Sequence, residues 1–111
     1  MTNSLISSSE QNVQDIYEVL IKKVHALGDI TIEEKKTSIH VKARSAFLGI
    51  HPKKKFLDIN IVTANPIDAP RVKKTEQVSA NRFHNEVRLE NVDQIDTELM
   101  AWIQQAYQLL S

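Results

Sequence analysis

The residues with chemical capacity in this chain fall on alternate positions of extended segments. In Arg82-Phe83-His84-Asn85-Glu86-Val87-Arg88-Leu89, one parity carries Arg82, His84, Glu86 and Arg88. The other carries Phe83, Asn85, Val87 and Leu89. The same alternation sets His40, Lys42 and Arg44 against Ile39, Val41 and Ala43. It also sets Phe56, Asp58 and Asn60 against Leu57, Ile59 and Ile61. If these strands are neighbours, their polar parities share one surface. Two chemistries are then open to it. Guanidinium and ammonium groups meet phosphate oxygens, with an aromatic ring as a stacking face, here Phe56 or an exposed Phe47. Imidazole and carboxylate suit a divalent cation, here His40, His84 and Asp58. The competing account is a solvated face whose charges pair across strands for about 0.2–1 kcal/mol each. The metal option has no local spacing such as His-x-x-x-His behind it.

Such a face needs a sheet covered on its other side, and the apolar pattern supplies one. Ser8 with Gln11 offers a capping box, and Val13, Ile16, Tyr17, Leu20, Ile21, Val24 and Leu27 then recur every three or four residues. That predicts an amphipathic helix closed at Gly28. Period-two segments follow around residues 30–33, 39–44 and 56–62, with a short apolar run at 46–50 between them, joined by short connections that favour an antiparallel meander. Residues 63–81 hold Pro66 and Pro70 and show no period, so they read as a loop that is mobile or functional. A last strand over 82–89 precedes a second helix. That helix is expected to start near Asn91, with Gln94 completing its capping box and Asp93, Asp96 and Glu98 suiting the positive end of its dipole. Val92, Ile95, Leu99, Trp102, Ile103, Ala106, Tyr107 and Leu110 form its stripe. The order is α-β-β-β-β-loop-β-α. It predicts an α+β two-layer sandwich: an antiparallel sheet of about five strands with both helices on one face. Residues 1–8 are small and polar and are expected to be a disordered tail before a single domain over 9–111.

Composition narrows the function. The 111 residues contain no cysteine, which excludes disulfides, thiolate catalysis and Cys-ligated zinc and fits a reducing, cytoplasmic setting. No apolar run approaches the roughly 20 residues of a membrane helix, and the first residues lack the pattern of a signal peptide. No phosphate-binding glycine loop, nucleophile elbow or His-Glu-x-x-His motif is present, so catalysis, a cofactor and a metal are not expected. The formal charge of zero conceals a segregation. Residues 1–34 carry two lysines against six acids, residues 35–88 twelve cations against four acids, and residues 89–111 four acids and no Lys or Arg.

The pieces KTSIHVKARSAFLGIHPKKKFLDI, PRVKKTE and FHNEVRLENVDQIDTELMAWIQQAY together resemble an uncharacterised bacterial family, domain-of-unknown-function family 5655. The resemblance spans roughly residues 13–108. It rests on Phe47-Leu48-Gly49-Ile50, Leu57-Asp58, Pro70-Arg71, Ile95-Asp96, Trp102 and Ala106-Tyr107. It implies a fold and carries no assigned activity or site. The layout is also similar to that of frataxin-like iron chaperones, which fold alone does not turn into a function. An iron site would need more exposed carboxylates than Asp93, Asp96 and Glu98, with Glu10, Asp15 and Glu18 on the first helix.

The expectation is therefore a small non-catalytic binding module for an anionic partner, either nucleic acid or a phosphorylated molecule. Arg44, Arg82, His84 and Arg88 would contact phosphate, and Lys42, Lys55 and Lys73 would add charge. The Arg-Val-Lys-Lys run at 71–74 would close over the ligand from the loop. The alternative is a protein–protein or self-association module, such as a homodimer, using an edge strand or Phe47.

Overall fold

The apolar parities and stripes named above all turn inward, and that shared burial sets the architecture. A computed structural model describes residue 6 and residues 9–111. Helix α1 covers Gln11–His25 and buries Val13, Ile16, Leu20 and Val24. Six strands follow: β1 Thr31–Glu34, β2 Ile39–Lys42, β3 Ala46–Pro52, β4 Leu57–Thr63, β5 Val72–Ser79 and β6 Arg82–Leu89. A 3-10 turn at Val92–Gln94 leads into helix α2, Thr97–Leu110, which buries Leu99, Ile103 and Ala106. The sheet is antiparallel throughout, in the order β1-β2-β3-β4-β6-β5. Its inner face presents Ile39, Val41, Leu48, Ile50, Leu57, Ile59, Ile61, Val87 and Leu89 to the helices, and these residues form one core cluster with them.

The α+β class and the two flanking helices agree with the sequence; the strand count does not. Residues 72–79 form a sixth strand inside the segment expected to be a loop, and this strand pairs with β6 at the edge of the sheet. Seven of its eight residues are exposed. A strand that buries neither face has no apolar parity to display, so periodicity could not reveal it. The chain between β4 and β5 is shorter than expected as a result, and β6 takes the place beside β4.

Both helix starts differ in detail from expectation. Glu10 is the N-cap of α1 and makes no side-chain cap bond; Ser8 lies outside the described residues. That end is held instead from the β3–β4 turn, where the Lys54 carbonyl accepts from Glu10 N at 2.9 Å and the Lys53 carbonyl from Ser9 Oγ at 2.8 Å. The Asn91–Gln94 capping box forms, but on the 3-10 turn. Asp96 caps α2, its carboxylate accepting from Leu99 N at 2.9 Å. Most of the expected disordered tail lies outside the described residues, yet Ile6 within it is buried in the core.

Gly28 is the one described residue with positive φ, at +151°. A Cβ there would stand 2.2 Å from Tyr107 Oη, so backbone conformation and space both favour glycine where α1 ends.

Phe47 and Leu48 are consecutive yet both fully buried. The register between β2 and β3 shifts after Val41↔Leu48 to Lys42↔Ala46, which leaves Phe47 as the extra residue of a bulge. The bulge turns its ring to the helix side, edge-on to Tyr107 with centroids 5.4 Å apart. An exposed Phe47, offered for stacking or association, is thereby corrected.

Candidate functional site

The outer face of the sheet is open, and its cross-strand register decides which polar groups meet. His40 lies opposite Glu33 on one side and Gly49 on the other. Gly49 faces Asn60, and Asn60 faces Glu86. In the next row His51 faces Asp58, which faces Arg88. Toward the other end Val62 faces His84, which faces Glu76.

Most of the charge on this face is paired. Arg88 donates from Nε to Asp58 Oδ1 at 3.0 Å and from Nη2 to Oδ2 at 3.4 Å. Its guanidinium also lies 3.7 Å from the Phe56 ring centroid, a cation–π contact. Lys73 reaches Glu86 at 3.8 Å and Lys42 reaches Glu33 at 3.9 Å. Lys35 also pairs with Glu33 and, with Lys42 and His40, holds that carboxyl below its ordinary range.

The expected phosphate contacts are dispersed. Arg44 is not on a strand: it sits exposed in the β2–β3 turn, and its backbone N–H donates to Leu110 O at 2.9 Å, capping the end of α2. Arg82 opens β6 and donates to the neighbouring Asn81 carbonyl. Arg88 lies six residues further along the same strand, roughly 20 Å away at strand rise. Lys55 is exposed in the β3–β4 turn. Of the four primary contacts, only His84 stands beside a concavity on the open face.

That concavity is a depression of about 120 Å³ lined by His40, His51, His84, Gly49, Asn60 and Val62, with Ala46 and Leu48 at its margin. Its floor exists because Gly49 has no side chain. A Cβ at Gly49 would lie 3.7 Å from Asn60 Cβ and 3.8 Å from His51 Nε2, ordinary contact distances. The glycine therefore keeps the space open without being demanded by the backbone. His40 Nε2 is 3.4 Å from Ser38 Oγ. Partial burial, then the positive charge of Lys53 and of His40, hold His51 below the usual imidazole range, which favours its neutral form. His51 was absent from the sequence-derived face because Pro52 and the lysines after it read as a turn. The parity of Gly49 and His51 was the available signal.

Arg71 and the loop before β5 have a different role from the one expected. Arg71 Nη1 bonds both carboxylate oxygens of Asp96, at 2.9 and 3.0 Å, and Glu98 at 3.3 Å; Nη2 donates to Gln94 O at 2.7 Å. Its guanidinium lies 5.8 Å from the Trp102 ring centroid. In the Arg-Val-Lys-Lys run Arg71 is thus a staple onto the start of α2, while Lys73 and Lys74 belong to strand β5 and lie beside Glu86 of the open face. The same contacts explain Asp93, Asp96 and Glu98 as a helix start. Among the described residues no group of three or more His, Cys, Asp or Glu is placed to hold a metal ion.

The Asp96 carboxyl sits below its ordinary range because Leu99 N–H and then Arg71 bond the charged form. A folded-state value below the unfolded one gives stability that is present above the unfolded value, about 3.9, and is lost as pH falls through the folded value. Asp96→Asn preserves a good N-cap but removes the charge. Urea midpoints measured at acid pH should therefore decline less steeply for the variant than for the parent. An unchanged acid limb would show that this cap and ion pair contribute nothing to it.

A larger concavity, about 480 Å³, lies on the helix side between residues 63–69 and α2, over Trp102 and Leu109. Its ionisable groups are Asp68 and Glu98, and Glu98 is already held by Arg71. The smaller depression is the better candidate, because His40, His51 and His84 form no ion pair among the described residues.

Among the described residues no helix is long and apolar enough to cross a membrane. No curated protein and no solved structure matches the chain, and the likeness to frataxin-like proteins finds no support there. A family model described as a domain of unknown function matches residues 2–110, nearly the whole chain. The bulged strand, the Asp58 row, Arg71 and the Trp102 helix therefore belong to a member of the domain-of-unknown-function family DUF5655.

Proposed function

We propose that this protein is a non-catalytic binding module that takes a small anion, the phosphate of a phosphorylated molecule, in the depression between His40, His51 and His84. One observation carries this: every titratable group lining the depression is an imidazole, and none is a carboxylate. The lining side chains therefore contribute no negative charge of their own. Of the carboxylates around it, Asp58, Glu86 and Glu33 are occupied by Arg88, Lys73, Lys35 and Lys42, while Glu76 stands opposite His84 on the β5 side. Asn60 adds an amide donor, and His84 keeps the role anticipated for it. Nucleic acid is less well supported, because Arg44, Arg82 and Arg88 are dispersed and Arg88 is engaged. The cysteine-free composition supports placing the protein in the cytoplasm.

Inorganic phosphate and a nucleoside monophosphate, titrated while the histidine ring resonances are followed by NMR, test the proposal. Saturable shifts at His40, His51 and His84 are expected, with dissociation constants on the order of 1 mM. Gly49→Val should fill the depression and abolish the shifts while leaving the thermal midpoint unchanged or higher, since valine suits a strand. Shifts that do not saturate, or that survive Gly49→Val, would overturn the proposal.

A further inference from the structure

The sheet ends in two edges of different character. β1 has four residues, with Glu33 and Glu34 in the strand and Lys35 and Lys36 just after it, the short charged edge that resists pairing. β5 has eight residues and is exposed on both faces as well as along its rim. It also carries Val78, at 49% the one exposed large hydrophobic residue among those described.

The register of β5 against β6 is regular from Lys74 to Gln77, between irregularities at Val72/Lys74 and Gln77/Ser79. Thr75 lies at the centre of a self-complementary pattern. Lys74 and Glu76 flank it on the open face, where they stand opposite Glu86 and His84, and neither forms an ion pair among the described residues. An antiparallel copy of β5, related by a twofold axis through Thr75, places Lys74 opposite Glu76 of the partner subunit. The symmetry repeats the pair in reverse, as an isologous contact requires. A strand with Lys at both flanks would repel its own copy here, and one with no charge would accept many partners.

We infer that β5 is a homodimerisation edge. Two copies pair antiparallel about Thr75, join their sheets into one, and select each other through two Lys74–Glu76 cross-strand pairs. Backbone hydrogen bonds along the central residues supply the attraction, and the charge pattern supplies the register. The edge borders the histidine depression, because Glu76 stands opposite His84, but phosphate titration and sedimentation read the two separately, so either inference can fail alone.

Sedimentation equilibrium of the full chain is the test. A dimer with a dissociation constant of roughly 10–100 µM is expected. Lys74→Glu alone, or Glu76→Lys alone, sets like charges opposite each other twice and should weaken it roughly tenfold to thirtyfold. The double swap Lys74→Glu/Glu76→Lys should recover most of the parent affinity. Circular dichroism melts establish that each variant is folded. If the double swap itself fails to fold, concentration-dependent protection of β5 amides in hydrogen exchange of the parent decides instead. A chain that stays monomeric to about 1 mM overturns the inference. So does a dimer indifferent to both single substitutions, or one whose β5 amides exchange alike at low and high concentration.

Discussion

Phe47→Ala is expected to lower the unfolding free energy by about 4 kcal/mol, the range for truncating a buried aromatic residue. The ring is wholly buried and packs edge-on against Tyr107, at 5.4 Å and 81°. Alanine leaves a void that the bulge cannot close, because Leu48 beside it is already in the core. The loss also loosens the position of Tyr107, whose hydroxyl reaches Asp29 O at 3.5 Å and stands over Gly28. Phe47→Leu should cost less, on the order of 1–2 kcal/mol, since most of the volume is retained. Urea denaturation with m-values checks both. A cost below about 1 kcal/mol for the alanine variant would mean that the ring is outside the core and that the bulge is misplaced. The same experiment separates fold from function: folded Phe47→Leu should bind phosphate as the parent does.

Asn85→Leu should be nearly as damaging, at about 3 kcal/mol, although it preserves side-chain size. Asn85 is fully buried among apolar neighbours on the inner face of β6. Its amide donates to Ile61 O at 3.0 Å and Thr63 Oγ1 at 2.8 Å. Its carbonyl accepts from Ile67 N at 3.0 Å and Thr75 Oγ1 at 3.2 Å. Four groups on β4, the following loop and β5 thus meet at one side chain. Among the described residues no buried side-chain nitrogen or oxygen lacks a partner. Leucine would strand several of them at once, and each unsatisfied buried group costs about 1–3 kcal/mol. Two readouts are expected to move together. The unfolding free energy falls, and proteolytic cleavage within residues 64–71 accelerates, because Ile67 loses its anchor. Stability loss without faster cleavage there would show that Arg71 alone holds the loop.

These residues show how much of the molecule its sequence carries. The helix stripes, the inward parity of β2, β4 and β6, and the polar parity of β6 are properties of neighbours along the chain. Burial of one face forces them whatever the partners are. Gly28 is legible for the same reason, as the end of a stripe. His40 and His84 were recognisable as members of an open face because strand parity alone places them there.

Other features depend on contacts between distant segments. The bulge that buries Phe47 and sets Ala46 beside Lys42 arises from a register between two strands, and alternation along one strand would have sent that ring outward. The depression gathers His40, His51 and His84 from three strands around a missing side chain on Gly49, and none of their spacings is a motif. β5 has no dry face, so only its pairing with β6 reveals it. The charge excess of residues 35–88 is a matter of composition, whereas the pairing of Arg88 with Asp58, Lys73 with Glu86, and Lys35 and Lys42 with Glu33 is a matter of geometry. Local sequence determined the layers and, outside the bulge at Phe47 and the exposed β5, which way residues face, because facing follows from period. Tertiary structure decided which faces meet and which charges neutralise one another, because register and strand order are settled only when the whole core closes.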